Sequence, residues 1–345
     1  MPLPARLLDA SLLLIGRASP AIVWDVLPLS ELNLIERIRR FARRSPALRV
    51  GIGDDCAVLR LPAGHETLVT TDFSLEGTHF RRDWHPPESV GHRCLARGLS
   101  DIAAMGGDPV AAFLSLALPA DIDQRWVDSF LRGLLDLAVK NKVVLAGGDL
   151  AQSPGGVCAD IMLLGSAPRG KALLRSGARP GDVLYVTGQL GVSAMVLHAL
   201  RDGQSVSPKS KQAAPHFWPQ PRIAIGRALR GLATAAIDIS DGLSTDLTHI
   251  CRESGVGALV REYSIPREVS FQGSSLHFAL HGGEDYELLF TAPAKARVPE
   301  SVGGVRITSI GEIVRDPKHR IFLTDSHGQR KLVTPAGWQH FTSSE

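Results

Sequence analysis

An apolar run that stops on an aspartate beside glycine, serine or threonine recurs through this 345-residue chain. It first occurs in TLVTTDFSLEGTHF, where Leu68-Val69-Thr70-Thr71 leads to Asp72. In VVLAGGDL the run from Val143 to Ala146 leads to Gly147-Gly148-Asp149. In AAIDISDGLSTDL a run from Ala235 leads to Asp238 and Asp241, with Ser240 between them. Asp54 and Asp55 in GIGDD, and Asp101 in SDIAAMGGDP, stand in two further acidic turns. Short apolar runs bounded by such turns read as buried strands. A single aspartate of this kind is ordinarily a turn residue, because it hydrogen-bonds its own backbone. Recurrence at successive strand ends is not explained by turn chemistry alone. Mg²⁺ takes a few carboxylates and completes its octahedron with water and phosphate oxygens. The pattern therefore points to a polyphosphate-handling Mg²⁺ site built from several strand ends.

At this length two domains are the default. Hydrophobic residues make up 44%, enough for a sizeable core. The formal net charge is +3, which argues against a nucleic-acid or membrane partner. The densest basic run, ERIRRFARRSPALR, carries Leu34, Ile35, Ile38, Phe41 and Ala42 at helical spacing, so its arginines read as a solvated helix face. Cys56, Cys94, Cys158 and Cys251 are scattered without a CxxC pair, which fits a reducing cytoplasm.

Residues 1–29 contain a signal-like stretch that Asp9 interrupts, and they read as an N-terminal extension. Folding is expected to begin near Ser30, an N-cap for a helix that ends by Pro46. Strands are expected at 56–61, 67–72, 110–118 and 157–165, with helices at 88–104 and 123–141. The composition shift at 168–180 marks the domain boundary, giving domains 30–168 and 169–345. The second begins with strand DVLYVTG and a helix near Gly191; the Pro-rich segment 201–221 reads as a mobile loop. A helix at 222–233, the strand into Asp238, a helix to Ser254 and strands at 258–262, 286–292 and within 305–324 follow. Two motifs are decoys. Gly165 to Ala172 nearly matches the phosphate-binding GxxxxGK[ST] but lacks its hydroxyl. His277 and His281 can share a helix face, without an acidic third ligand at metalloprotease spacing.

The series GIGDDCAVL, TTDFSLEGTHF, LSDIAAMGGDP, LAGGDL, LLRSGARPGD, IDISDGLSTDL and HGGEDYELLF resembles the thiamine-monophosphate kinase family, in order, over about residues 30–340. The resemblance implies an α/β, two-domain, aminoimidazole-ribonucleotide synthetase-like fold: an N-terminal sheet domain plus a C-terminal α/β domain, dimerising through the N-terminal sheets. It implies Mg²⁺ ligands at Asp55, Thr70, Thr71, Asp72, Asp101, Asp149, Asp238 and Asp241. ATP contacts fall at Gly148, Asp149, Arg175 and Ser240, and thiamine phosphate contacts at His79, Glu284 and Trp338. Leu150, where Thr is frequent in the family, departs from the pattern. The expected activity is ATP-dependent phosphorylation of thiamine monophosphate by direct in-line transfer, with several Mg²⁺ ions, in a cytoplasmic homodimer. Another ATP-dependent enzyme of the superfamily, such as aminoimidazole-ribonucleotide synthetase, or a non-catalytic nucleotide-binding module are the alternatives. The chemistry agrees with the residue set: a phosphate monoester is mostly dianionic at neutral pH. It needs no general base, and the difficulty lies in bringing two polyanions together.

Overall fold

The computed structural model describes residues 31–42, 45–268, 275–339 and 341. The extension 1–29 and the cap at Ser30 lie outside the described residues. Helix α1 (Glu31–Phe41) buries Leu34 and Ile38, whereas Phe41, expected on the same face, is exposed. The strand expected at 56–61 is reduced to a ribbon, β1 (Leu48–Val50) paired with β2 (Val58–Leu59). The alternation that follows matches the hydrophobic pattern closely: β3 (His65–Leu75), α2 (Pro87–Ala104), β4 (Asp108–Leu118), α3 (Gln124–Asn141), β5 (Val144–Gln152) and β6 (Cys158–Pro168). Asp123 caps α3 by accepting the Trp126 N–H at 2.8 Å, and Lys142 ends it in the left-handed conformation. The four long strands form one sheet, ordered β3-β6-β4-β5, with only β4 and β5 parallel.

After the link 169–181 the chain continues through β7 (Asp182–Thr187), α4 (Val192–Arg201), α5 (Ala214–Phe217), α6 (Ile223–Leu229), β8 (Ala235–Ile239), α7 (Leu243–Ser254) and β9 (Gly257–Arg261). It ends with α8 (Ser275–His281), β10 (Glu287–Pro293), β11 (Ser301–Val302), β12 (Val305–Val314), β13 (Ile321–Thr324) and β14 (Arg330–Val333). These strands make a second sheet, ordered β14-β13-β9-β12-β7-β10-β8, with β11 beside β12. The pattern from Gly165 to Ala172 is not a phosphate loop, because β6 runs on through Pro168 and no helix follows.

Helix α2 is the pivot between the two sheets. It packs on β3, β6 and α3 on one side and meets α6, β8 and β10 on the other. Leu95, Leu99 and Ala103 share one buried cluster with Leu288, Phe290 and Ile307 of the second sheet. Fully burying each large apolar side chain contributes about 1.5–3 kcal/mol, so the halves are joined by core. Gly226 of α6 lies against the Ala103 carbonyl with no room for a Cβ, which lets α6 approach this closely.

The segment expected to be a mobile loop is instead packed in part. Phe217 and His216 are buried. Three α2 side chains contact carbonyls of this connector, at residues 216, 217 and 219. Arg93 Nη1 donates to the His216 carbonyl, Ser89 Oγ to Phe217 at 2.8 Å, and His92 Nε2 meets Pro219 at 2.7 Å. The polar composition suggested exposure, but buried backbone carbonyls need donors, and this face of α2 supplies them.

Candidate active site

A cavity of about 490 Å³ opens where the end of β3 meets the loops of the second sheet, lined by Asp72, His79, Arg97, Asp241, Glu284 and Trp338 among others. Alternate residues of a strand point to opposite faces of its sheet. Thr70 faces α2 and its hydroxyl donates to Asp101. Asp238, buried on β8, accepts from Ser100 Oγ of α2 at 2.7 Å. Burial and the neighbouring Asp101 charge lift Asp72 to about 7, with Arg97 opposing. Burial and the same Asp101 charge lift Asp238 to about 7, with Arg175 opposing. Burial also raises Asp101. These acids thus share a poorly solvated space in which each disfavours the ionisation of the others.

The second sheet brings two loops to this space. The turn Ser240-Asp241-Gly242 precedes α7, and Asp246 holds it by accepting N–H groups of Asp241 and Gly242 at 3.1 and 3.0 Å. In HGGEDYELLF, four consecutive side chains meet different surroundings. Glu284, at φ +63°, accepts two contacts of 2.8 Å from Arg93 Nη2. Asp285 accepts the Gly191 N–H at the start of α4, Tyr286 is buried at φ +51°, and Glu287 pairs with Arg222 and Thr187. Two left-handed non-glycine residues so close together store backbone strain, as functional loops often do. Although burial works to raise it, the Arg93 and Arg97 guanidiniums hold Glu284 down at about 2. His79 Nδ1 accepts the Leu75 N–H at 3.0 Å, which places the proton of the neutral ring on Nε2. Trp338 is 46% exposed, and its backbone N–H donates to the Asp241 carbonyl at 3.1 Å.

The remaining expected residues lie elsewhere. Asp55, Gly148 and Asp149 line a separate cleft of about 680 Å³, together with Gly53, Phe113 and Ser115. Thr71 points to the face of the first sheet opposite Thr70 and donates to Asp160. The register places Phe73, Asp160, Ser115 and Asp149 in one row across β3, β6, β4 and β5. Gly148, at φ +151°, passes so close to the Leu114 carbonyl that no side chain fits. Arg175 is exposed on the link, near enough for its charge to lower Asp101 and Asp238.

The structure therefore gathers Thr70, Asp72, Asp101, Asp238 and Asp241 between the sheets, with Ser240, His79, Glu284 and Trp338 around the adjoining cavity. It leaves Asp55, Thr71, Gly148 and Asp149 with the first sheet's open face. Among the described residues no group of three or more His, Cys, Asp or Glu is gathered tightly enough to enclose a metal ion by itself. His277 and His281 do share α8, with rings 5.0 Å apart, and belong to the cavity wall. Sequence reasoning missed Arg93, Arg97, Asp160 and Asp246. Two of these were visible as Arg93, Arg97 and Asp101, a charged stripe of period four through an otherwise buried helix.

Comparison with known proteins fits this architecture. The family profile described as AIR synthase related protein, N-terminal domain, matches residues 53–167, and its C-terminal counterpart matches 179–324. The thiamine-monophosphate kinase of Escherichia coli K12 is 40% identical over 328 residues, covering 91% of this chain and 98% of the relative. The crystal structure of thiamine-monophosphate kinase from Stenotrophomonas maltophilia superposes with a TM-score of 0.78 at 34% identity, covering 88% of this chain and 98% of that one. A structure described as AaThiL complexed with AMPPCP and TMP gives 0.72 at 31% identity, covering 91% and 97%. This chain belongs to the AIR synthase related family and, within it, to the thiamine-monophosphate kinases.

Proposed function

We propose that this chain phosphorylates thiamine monophosphate with ATP, by direct in-line transfer at the junction of the two sheets, yielding thiamine diphosphate and ADP. One observation carries the reading most strongly: Asp72 of the first sheet and Asp241, Glu284 and Trp338 of the second half line one cavity. The named relatives, and the relative complexed with AMPPCP and TMP, support the same pair of substrates. An oxygen of the monophosphate bonds to the γ-phosphorus while the bond to the β,γ-bridging oxygen breaks, and ADP leaves with that electron pair. No side chain has to remove a proton, which fits a cavity rich in acids. Glu284 is held by Arg93, and the Trp338 backbone is tied to the Asp241 carbonyl at 3.1 Å, so a prepositioned carboxylate and a half-exposed indole are offered to the aminopyrimidine and thiazolium rings. The proposed domains are 30–168 and 169–345, a division supported by the separate sheets on either side of the link.

Mg²⁺ fits the donor set. Buried, mutually repelling carboxylates at Asp72, Asp101 and Asp238 favour a divalent cation, and the lack of a closed cage suits an ion completed by water and phosphate oxygens. Asp72, Asp101, Asp238, Asp241 and Thr70 would hold ions between the sheets, and Asp55, Thr71 and Asp149 on the sheet face. Bound there, Mg²⁺ would neutralise charge on the phosphates that must meet. ATP is assigned to Gly148, Asp149, Arg175 and Ser240.

A homodimer completes the proposal. Val69 and Phe73 are 62% and 57% exposed on the open face of the first sheet, on either side of Thr71 and its bond to Asp160, and these two large apolar side chains are assigned to the contact surface. A cytoplasmic location is consistent with the scattered free cysteines. Among the described residues no helix is long and apolar enough to cross a membrane.

The test offers purified protein thiamine monophosphate or purine-pathway ribonucleotides with Mg-ATP and follows ADP release. Turnover confined to thiamine monophosphate supports the reading; turnover confined to a purine substrate, or none, overturns it. Light scattering coupled to gel filtration should give twice the monomer mass.

A further inference from the structure

Arg97 projects from the middle of α2 into the 490 Å³ cavity. Its side chain is 14% exposed, a costly place for a cation that has no close partner. Glu284 is the nearest carboxylate, yet Glu284 is already held by Arg93 at 2.8 Å, while Arg97 stands 3.7 Å away. Among the described residues this is its one ion-pair contact, and its Nε is buried without a hydrogen bond. The buried Tyr286 hydroxyl, whose charge state Arg97 influences, is likewise without a partner. Asp72 lines the same cavity, and the Arg97 charge favours its ionised form. A guanidinium offers five N–H donors in a planar fork that matches phosphate oxygens. Arg97 thus sets an uncommitted fork between the acids of the first sheet and the pocket of Glu284 and Trp338.

We infer that Arg97 binds the phosphate of the acceptor and so makes the cavity select thiamine monophosphate over unphosphorylated thiamine. The inference rests on the function proposed above. Location favours the acceptor phosphate: Arg97 shares its cavity with all three residues assigned to thiamine phosphate, His79, Glu284 and Trp338, whereas of the residues assigned to ATP only Ser240 reaches it and Gly148 and Asp149 line the separate 680 Å³ cleft. An arginine also serves a substrate with a thiazolium cation if it faces the phosphate end, with Glu284 interposed on the ring side. Arg97 is therefore a specificity-determining residue whose loss should weaken one substrate and spare the other.

The experiment measures binding of thiamine monophosphate and of thiamine by calorimetry, with and without Mg²⁺, and steady-state turnover of wild type, Arg97→Gln and Arg97→Lys. Wild type should prefer the monophosphate in both conditions. Arg97→Gln should lose at least tenfold in monophosphate affinity, leave thiamine affinity and the KM for ATP within twofold, and raise the KM for thiamine monophosphate. Arg97→Lys should fall between the two, because a point charge replaces the fork. If Arg97→Gln fails to fold, the lysine variant decides: at least threefold weaker monophosphate binding with thiamine unchanged upholds the inference, and wild-type preference overturns it. Equal loss for both ligands, or a rise confined to the KM for ATP, also overturns it. Absence of wild-type turnover on thiamine monophosphate refutes the proposed function itself, a result distinguishable from every variant outcome.

Discussion

Two acidic clefts share the first sheet, one on each face, and they are built differently. Between the sheets, Asp101 is bound by Thr70, Asp238 by Ser100 and Glu284 by Arg93, so the carboxylates are oriented by neighbours before any substrate arrives. On the open face, Asp55 and Asp149 are exposed and meet only local groups, each near its own turn. The first cleft owes its shape to packing of the second half of the chain on α2. The second is walled instead by the N-terminal part of the first half, through Glu31, Ile35 and Ile38 of α1 and residues 51–57. Preorganisation in this protein follows the core, and the exposed cleft depends on what binds over it.

The largest expected effect tests whether the two clefts serve one reaction. Asp72→Asn should lower kcat about a thousandfold or more, since charge stabilisation by a metal clamp contributes several kcal/mol, while the melting temperature holds or rises because a repelled charge is removed. Asp149→Asn should lose turnover comparably and raise the KM for ATP. Near-wild-type turnover of Asp149→Asn at saturating Mg²⁺ would separate the clefts and leave Asp149 a turn residue.

Glu284→Gln addresses orientation within the first cleft. Gln keeps an acceptor for Arg93 but leaves the buried cation uncompensated, and breaking such pairs outright costs about 3–5 kcal/mol. A milder loss, roughly 2 kcal/mol, should lower the melting temperature of a chain of this size by about 3 °C, together with a higher KM for thiamine monophosphate. An unchanged melting temperature would mean that the Arg93 contact adds nothing to stability.

Acid should loosen the junction that shapes this cleft. Burial, with Arg93 adding to it at His85, depresses His85 and His92 to about 4 from an ordinary 6.5. Between these values the unfolded chain binds protons that the folded one excludes, so stability rises with pH there. Their contribution is complete above about 6.5 and is lost as pH falls toward 4. Asp72 and Asp238, lifted to about 7, act in the opposite sense over the same window, so the imidazole contribution is read by difference. Between pH 7 and 4.5 the denaturant midpoint of His92→Gln should fall less, or rise more, than that of wild type. Parallel pH profiles for the two proteins would refute the assignment of His92 as neutral.

Trp338→Ala carries the smallest expectation. Half exposed, the indole can gain roughly 0.5–2 kcal/mol over a cationic ring, so the KM for thiamine monophosphate should rise about twofold to thirtyfold with the KM for ATP unchanged. A rise in both would move Trp338 from recognition to tail packing.

Much of this was legible in the residues. The strand-end aspartates are local signals, and the alternating helices and strands of the first half announce themselves by period, from β3 through β6. What could not be read was which face each candidate ligand would occupy. Thr70 and Thr71 are neighbours in the chain yet point to opposite sides of the sheet, and that split follows from strand phase combined with the position of α2. The pairing of Glu284 could not be read either, because its partner Arg93 lies 191 residues earlier. Asp246, inside the same SDGLSTDL string as Asp241, proved to be the clamp of the turn, since only the fold shows that its carboxylate points back at two N–H groups. The 201–221 segment was misread because proline and polar content report exposure only when no neighbour offers donors, and α2 does.

The three contacts from α2 to the connector end on carbonyls of His216, Phe217 and Pro219, groups that every residue type possesses. The clamp itself is indifferent to side-chain identity at these three positions and sensitive to their spacing, since an inserted or deleted residue between them would move the carbonyls relative to their donors. Side-chain identity is constrained separately, because Phe217 is fully buried and the His216 ring meets His85 Nε2 and Ser193 Oγ, each at 3.0 Å. The stretch thus carries two independent restrictions, one of spacing through its backbone and one of composition through these two side chains.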